Sequence, residues 1–206
     1  MKKPENTVQG MLAGLADLAL QVGSTLGPEV EAVGRLAHET LLTGGRLFFC
    51  GNGGSAADAQ HLAAEYVVRF RRNRRALPAL ALTTDTSVLT AGGNDFGFDS
   101  VFARQVEALA TRGDLLFLHS TSGESENLLR AAETARRNGV TTVAFLAKGG
   151  GRLAHLVDRA LVIPTNSTAR AQEIHLALGH AICEIVDTLM EEGPRVPQSR
   201  EEELRE

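Results

Sequence analysis

Cysteine and aromatic residues are scarce in this sequence. It contains two cysteines, one tyrosine and no tryptophan, and aromatic residues make up 4% of the chain. Two cysteines cannot build the disulfide framework of a small secreted domain. Because Cys50 and Cys183 both lie in apolar segments, we expect buried, reduced thiols and a cytoplasmic location. The shortage of aromatic rings also removes the stacking surface on which proteins that bind single-stranded nucleic acid depend.

Positive net charge and long apolar runs are missing as well. The formal net charge is -4, whereas proteins that bind nucleic acid over a broad surface are normally strongly basic. No apolar run approaches the roughly 18 residues that cross a bilayer, and the N-terminus does not lead into the apolar region of a secretory signal. We therefore expect a soluble protein with neither a membrane nor a nucleic-acid partner.

One basic segment keeps a local nucleic-acid contact open as an alternative. It contains Arg69, Arg71, Arg72, Arg74 and Arg75. Such a cluster also suits the C-terminus of a helix, where positive charge complements the helix dipole without any partner.

Apolar runs alternate with helical patterns along most of the chain. The runs at residues 46–50, 79–82, 115–119, 142–147 and 160–163 predict strands. Strands separated by helices imply right-handed crossovers and a parallel sheet covered on both faces. We expect an α/β fold, a three-layer αβα sandwich with a five-stranded parallel sheet, as a single domain over residues 1–206.

The segments on either side of this core have their own patterns. Helical spacing over residues 8–43 is interrupted at Gly27-Pro28, which predicts two N-terminal helices for packing or oligomerisation within residues 1–43. Residues 44–191 then form the αβα core. The charged residues 192–206 lack an apolar face and are predicted to be a flexible tail.

The last predicted helix, residues 169–191, is apolar on two sides. One stripe follows the i, i+3, i+4 rule and contains Ile174, Ala177, Leu178, Ala181, Ile182, Ile185, Val186 and Leu189. The opposite side bears Leu176, Gly179, Cys183 and Met190. A helix that is apolar on two sides needs two partners. We predict the sheet on one side and a neighbouring subunit on the other, that is, a homo-oligomer.

The loops after the first and third strands are candidate ligand sites, because ligands bind beyond the carboxyl ends of the strands in open parallel sheets. The first loop, Gly51-Asn52-Gly53-Gly54-Ser55-Ala56, resembles a dinucleotide loop, but no acidic residue ends the next strand as that reading requires. The second loop offers four hydroxyls at a helix start, from Ser120, Thr121, Ser122 and Ser125. Hydroxyls and amides at a helix N-terminus suit a phosphate monoester. The alternative is that these residues only cap the helix.

A second group of polar residues has the chemistry of metal ligands. His61 and Glu65 are spaced i, i+4 and point to one side of a helix. Imidazole and carboxylate are zinc ligands, although an exposed polar face would have the same spacing. Gln172 and His180 lie on the last helix, about 12 Å apart along a straight axis. To bind one ion, either both side chains reach inward or one comes from a neighbouring subunit.

Four motifs occur in one order along the chain. They are residues 51–61, Gly93-Asn94-Asp95-Phe96-Gly97, Ser120-Thr121-Ser122-Gly123 and Gln172-Glu173-Ile174-His175. Together they resemble the phosphoheptose isomerase branch of the sugar isomerase (SIS) family, whose fold is flavodoxin-like. The resemblance covers nearly the whole chain, from about Leu12 to Met190.

The resemblance implies a homotetramer that interconverts D-sedoheptulose 7-phosphate and D-glycero-D-manno-heptose 7-phosphate, a precursor of bacterial surface polysaccharide. It implies one zinc ion per subunit, bound by His61, Glu65, Gln172 and His180. The substrate residues it implies are Asn52, Gly53, Gly54, Glu65, Asn94, Asp95, Ser120, Thr121, Ser122, Ser125 and Gln172, and we expect Ser55 to help hold the phosphate. An enediol mechanism needs a base, an acid and stabilisation of an oxyanion. We expect Glu65 to remove the carbon-bound proton, His180 to move protons at oxygen and zinc to polarise the carbonyl.

Another branch of the same fold gives the alternative reading. It contains non-catalytic proteins that bind the bacterial replication initiator, and this chain resembles them at Thr83-Thr84-Asp85 and Ser167-Thr168-Ala169-Arg170. That branch tends to lose the acidic residue at position 65, so Glu65 favours catalysis here. Ala169 stands where some isomerase relatives have an acidic residue, which puts any accessory role of that carboxylate in doubt.

Overall fold

The computed structural model describes residues 7–192. Its helices are α1 (Val8–Leu42), α2 (Gly54–Val67), α3 (Thr86–Phe96), α4 (Val101–Leu109), α5 (Glu126–Asn138) and α6 (Thr168–Glu192). Its strands are β1 (Leu47–Gly51), β2 (Ala79–Ala81), β3 (Leu115–Ser120), β4 (Thr141–Leu146) and β5 (Arg159–Val162). Apart from residue 192 at the end of α6, the predicted tail lies outside the described residues.

The five strands form one parallel sheet in the order β2-β1-β3-β4-β5. All five strands therefore end at the same edge of the sheet, and β1 lies directly beside β3. The predicted parallel αβα fold is confirmed. Because β1 and β3 are neighbours, the two candidate ligand loops that follow them are adjacent as well.

Side chains that alternate along the strands build two cores. Phe49, Phe117 and Phe145 point to one face, where they pack with α1, α2 and α6. Phe48 and Leu116 point to the opposite face, where they pack with α4 and α5. Each face is thus covered by helices, as expected of a parallel sheet whose strands are apolar on both sides.

The N-terminal region is one helix rather than the two that we predicted. α1 continues through Pro28, which lies inside it. Gly27 precedes the proline, and a residue without a Cβ relieves the steric clash that normally ends a helix there. Tertiary packing supports both halves, because Val22 is buried against the start of α6 and Val33 against its later turns.

α6 has the predicted extent, but its second apolar side does not face solvent. A Cβ on Gly179 would lie 2.6 Å from the Leu62 side chain of α2, and Cys183 is buried in the core shared with α2. On another side of α6, Ile185 packs so closely on Gly34 of α1 that a Cβ on Gly34 would lie 2.7 Å from the Ile185 side chain. Both apolar sides therefore have partners in the same chain, so the argument for a neighbouring subunit from this helix was wrong. Ala177 and Ala181, assigned to the core stripe, are exposed.

The arginine segment after α2 is docked on α6. Arg74 Nε lies 2.6 Å from Asp187 Oδ1, Arg71 Nη1 lies 3.1 Å from Glu184 Oε2, and Arg72 pairs with Glu191. Ion pairing within the chain therefore accounts for three of the five arginines that kept a nucleic-acid contact open. None of the helices in residues 7–192 is both long and apolar enough to span a membrane.

Candidate active site

The two ligand loops are joined by a pair of amide side chains. Asn52 Nδ2 donates to Asn127 Oδ1, and Asn127 Nδ2 donates to Asn52 Oδ1, each at 2.9 Å. Asn127 lies in the first turn of α5 and is buried. The sequence analysis missed it, because a lone asparagine in a helix has no periodic or motif signal. This pair holds the start of α5 against the loop that begins α2.

A cavity of about 180 Å³ lies between these loops and α6. It is lined by Asn52, Ser55, His119, Ser120, Thr121, Ser122, Ser125, Thr168 and Gln172. Seven of these residues are predicted site residues, and the structure brings them together from three separate segments. His119 and Thr168 were not predicted. The cavity is rich in hydroxyl and amide groups, which suits a phosphorylated, polar ligand.

The start of α2 brings backbone amides to this cavity. Gly53 adopts a positive φ of 57°, which lets the chain turn sharply from the strand into the helix. A Cβ on Gly54 would lie 2.7 Å from the Gln172 amide nitrogen, so only glycine leaves room for that side chain. Gln172 Nε2 is in turn 3.5 Å from Ser55 Oγ. The Ser55 and Ala56 amides donate to the Asn52 and Gly53 carbonyls, so the amides at the start of α2 that can attract an anion are those of Gly53 and Gly54.

The second ligand loop, residues 120–125 and called the serine loop below, uses its hydroxyls in two ways. Ser120 Oγ accepts from the Gly123 amide at 3.0 Å, and Ser122 Oγ accepts from the Glu124 amide at 3.2 Å. These two hydroxyls therefore order their own loop rather than cap α5, and each keeps its O–H to donate. Ser125 stands at the start of α5 without a side-chain cap. The Leu128 and Leu129 amides donate to the Ser125 carbonyl, which leaves the Ser125 hydroxyl and the Glu126 and Asn127 amides available to an anion.

The glycine-rich segment at residues 149–151 packs against the serine loop. A Cβ on Gly123 would collide with the Gly150 carbonyl, so the two backbones can approach this closely only without side chains. Arg152 donates to Glu124 from its backbone amide at 2.9 Å and from Nε at 2.8 Å. These contacts fix the loop in the shape that lines the cavity.

The predicted metal ligands of α2 and α6 also meet. His61 Nε2 lies 2.8 Å from His180 Nε2 and 3.4 Å from Glu65 Oε1. The ring of Phe70 stacks on His180 with centroids 5.2 Å apart. The i, i+4 pair on α2 thus faces a histidine 119 residues further along the chain.

The donor set of this cluster fits a zinc ion. One ligand atom from each of the three residues lies within 4.8 Å of the others, and two nitrogen or oxygen ligands of a tetrahedral zinc are about 3.4 Å apart. Burial lowers the pKa of His180, His61 lowers it further and Glu65 opposes the shift. A neutral imidazole is the form that binds metals. Three protein ligands with a fourth position to spare are typical of catalytic zinc.

Gln172 lines the cavity but is not joined to the metal cluster, and Asn94 and Asp95 are joined to neither. Within the described residues, no hydrogen bond links Gln172 to the His61, Glu65 and His180 cluster, so its role as the fourth ligand stays a prediction. Asn94 and Asp95 lie at the exposed end of α3, where Asn94 Nδ2 donates to Asp95 Oδ1 at 2.7 Å. Neither lines the cavity, and their contact with substrate also stays a prediction.

Comparison with known proteins agrees with this arrangement. The SIS domain family matches residues 12–147. A phosphoheptose isomerase from Roseiflexus sp. (strain RS-1) is 51% identical over 177 residues, which covers 85% of this chain and 90% of the relative. The chain belongs to the phosphoheptose isomerase family. Another member, from Akkermansia muciniphila, is 48% identical over 180 residues, 87% of this chain and 95% of the relative.

Solved structures of the phosphoheptose isomerase family have the same fold. The enzyme from Francisella tularensis superposes with a TM-score of 0.86 at 32% identity, over 90% of this chain and 99% of that chain. The enzyme from Neisseria gonorrhoeae gives a TM-score of 0.83 at 39% identity, over 90% of this chain and all of that chain (100%). The predicted family and fold are confirmed, and membership makes this protein an enzyme, a sugar phosphate isomerase.

Proposed function

We propose that this protein interconverts D-sedoheptulose 7-phosphate and D-glycero-D-manno-heptose 7-phosphate through an enediol. The observation that carries the proposal is the pairing of two features on the same two helices: a hydroxyl-lined cavity at the starts of α2 and α6 and an imidazole and carboxylate cluster further along both. The cavity suits a phosphate, and the cluster suits proton transfer.

The spacing of these features favours a long substrate. From Ser55 to His61 the axis of α2 rises about 9 Å, and from Gln172 to His180 the axis of α6 rises about 12 Å. A sugar phosphate that reaches both must carry its carbonyl several carbons away from its phosphate. A seven-carbon chain phosphorylated at its far end meets this requirement better than a shorter sugar.

Phosphate binding positions the substrate in this proposal. The hydroxyls of Ser55, Thr121 and Ser125 donate to the phosphate, with the first amides of α2 and α5. Asn52, Gly53, Gly54, Ser120, Ser122 and Gln172 complete the binding surface. Binding energy from this remote group holds C1 and C2 at the cluster, which lowers the entropic part of the barrier.

Glu65 and His180 carry the proton transfers. Glu65 removes the proton from the carbon next to the carbonyl and returns it to the neighbouring carbon, while His180 moves the proton between the two oxygens. The lowered pKa of His180 favours a neutral ring, which can accept at one nitrogen and donate at the other. The base and the acid are thus on the facing helices α2 and α6, with their ligand atoms within 4.8 Å of each other, so both can act at the same end of the substrate.

One zinc ion per subunit belongs to this proposal. His61, Glu65 and His180 would hold it, and Gln172, the predicted fourth ligand, would reach it only by turning away from Ser55. Glu65 would leave the ion when it acts as the base. The ion supplies Lewis-acid polarisation of an oxygen on the substrate. Treatment with a chelator should remove both the ion and the activity, and zinc should restore them. If activity changes neither with the chelator nor with added zinc, the enzyme does not need the metal and this part of the proposal is wrong.

We also propose that the enzyme is a homotetramer that works in the cytoplasm. Large apolar side chains are exposed on α1 and at and just after the end of α3: Leu12 59%, Leu20 75%, Phe96 55% and Phe98 60%. Asn94 and Asp95 are next to these phenylalanines, so a neighbouring copy packed there could receive them at its own cavity. Light scattering and sedimentation would give the oligomeric state directly.

A coupled assay with sedoheptulose 7-phosphate tests the function. We expect turnover with this substrate and a much lower kcat/KM with five- and six-carbon ketose phosphates, because their carbonyls cannot reach the cluster while the phosphate is bound. The absence of turnover with every ketose phosphate would favour the non-catalytic alternative. The close contact of Glu65 with His61 supports catalysis over that alternative, so we do not adopt binding to the replication initiator.

A further inference from the structure

His119, at the end of β3, is buried without a hydrogen bond. Its exposure is 0%, and neither Nδ1 nor Nε2 has a partner among residues 7–192. The ring stacks on Phe145, with centroids 4.6 Å apart and an interplanar angle of 7°. Phe49 flanks it at 6.4 Å. The packing around this ring would suit a phenylalanine side chain.

An unpaired polar group in such a place is unfavourable. A buried donor or acceptor without a partner loses its hydration and gains nothing in return. Phenylalanine would keep the stack on Phe145 without this penalty. Polar groups that persist against stability are found chiefly at functional sites. A functional role would explain why position 119 holds a histidine rather than a phenylalanine.

The other buried histidine of this region behaves differently. His175 Nε2 lies 3.1 Å from the Leu146 carbonyl oxygen, so the ring is anchored to the backbone. His175 does not line the cavity, whereas His119 does, directly before Ser120 of the serine loop. The histidine that lacks a partner is thus the one that borders the ligand site.

We propose that His119 is a substrate-binding residue, whose ring N–H donates a hydrogen bond to the phosphate group of the bound sugar phosphate. The proposal rests on the proposed function, because it assigns the phosphate to the cavity that His119 lines. The ring has no exposed surface in this structure, so side chains that line the cavity must shift to bring it against the ligand.

The protonation state of the ring suits this task. Burial, and to a lesser extent His175, lowers the pKa of His119 to about 3. The ring is therefore neutral at pH 7 and carries one N–H. A neutral donor adds a hydrogen bond to the phosphate without placing an unpaired charge in the core between Phe49 and Phe145.

The test is His119→Phe, which preserves the aromatic stack and removes both nitrogens. We expect an unfolding midpoint equal to or above that of the wild type, because an unpaired polar group is removed. The KM for sedoheptulose 7-phosphate and the Kd for inorganic phosphate should both rise about tenfold or more, the loss typical of a hydrogen bond to a charged group, while kcat changes less. Unchanged KM and Kd would overturn the proposal.

Phe145→Leu is the matched control, since it disturbs the same stack and leaves the nitrogens in place. An equal rise of KM in Phe145→Leu would mean that packing explains the effect, and the proposal would fall. If His119→Phe does not fold, a structure of the wild-type protein with inorganic phosphate decides. A ring nitrogen within about 3.2 Å of a phosphate oxygen supports the proposal, and a greater separation overturns it.

Phosphate titration separates this proposal from the proposed function. If the wild type does not isomerise sedoheptulose 7-phosphate, the proposed function fails. Phosphate binding that depends on His119 would then still support the present inference. Isomerisation by a His119→Phe variant with wild-type KM and phosphate affinity gives the opposite result: the function stands and the role of His119 does not.

Discussion

Asn52 and Asn127 exchange two hydrogen bonds of 2.9 Å across the junction between the two ligand loops. The pair links the end of β1 to the first turn of α5, which are 75 residues apart in sequence. Each amide uses one N–H and its carbonyl oxygen in this pair, so each keeps a second N–H that can donate elsewhere. The relative position of the starts of α2 and α5, and with it the proposed phosphate site, depends on this link.

Replacing Asn127 with alanine should loosen this junction. The variant leaves the Asn52 amide without its partner, so the free energy of unfolding should fall by about 1–3 kcal/mol. The KM for the sugar phosphate should rise, because the two helix N-termini are no longer held together. Urea unfolding and steady-state kinetics measure the two effects. Asn138→Ala is the control: Asn138 Nδ2 donates to the Ala110 carbonyl at the other end of α5, so stability alone should change.

Replacing Gly54 with alanine should displace Gln172. The new Cβ would lie 2.7 Å from Gln172 Nε2, and the flexible amide can move away at little cost in stability. We therefore expect a higher KM with an unfolding midpoint near that of the wild type. Gly14→Ala in α1, where a Cβ meets nothing within 4 Å, should leave the kinetics unchanged. A Gly54→Ala enzyme with wild-type KM would show that Gln172 does not touch the substrate.

Glu65→Gln keeps the shape of the side chain and removes the base. We expect kcat to fall by a factor of about 100 or more, the contribution typical of general base catalysis. Zinc content should be measured in the same preparation, because Glu65 is also a proposed ligand. Glu107→Gln, an exposed residue of α4 far from the cluster in sequence, should have no effect. Wild-type turnover by Glu65→Gln would show that another group removes the proton.

Acid stability should depend on Asp114, a buried carboxylate at the start of β3. It accepts hydrogen bonds from the Arg46 amide at 2.8 Å, Arg46 Nη2 at 2.8 Å and the Thr111 amide at 2.8 Å. Burial alone would raise the pKa of Asp114, but these hydrogen bonds outweigh burial and the pKa is lowered from 3.8. Since the unfolded state then binds the proton more tightly, the carboxylate stabilises the fold above the unfolded pKa, and this contribution disappears as the pH falls through the folded pKa.

Urea unfolding between pH 7 and pH 2.5 measures this contribution. The wild type should lose stability steeply below about pH 4, the pKa of an unfolded aspartate. Asp114→Asn should be less stable at pH 7 and should lose less over the same interval. Equal slopes for the two proteins would mean that other carboxylates cause the acid sensitivity.

Much of the fold could be predicted from local patterns. The strand runs ending at Cys50 and His119 each gave way to a polar loop and a helix, and that alternation permits few topologies other than a parallel sheet. Gly139 ends α5 in the left-handed conformation with φ of 71°, a position where glycine is the usual residue. His61 and Glu65 share one side of α2 because helical geometry alone requires it.

The sequence by itself thus determined the strands, their loops and the types of side chain that the loops carry, because these follow from short-range periodicity and backbone sterics. Only the tertiary structure decided that α1 continues through Pro28, that Gly179 faces Leu62 and that His180 meets His61. Asn127 and His119 became visible as site residues in the same way. Each of these outcomes depends on which distant surface a side chain packs against, and contacts between residues far apart in the chain leave no local pattern from which they can be predicted.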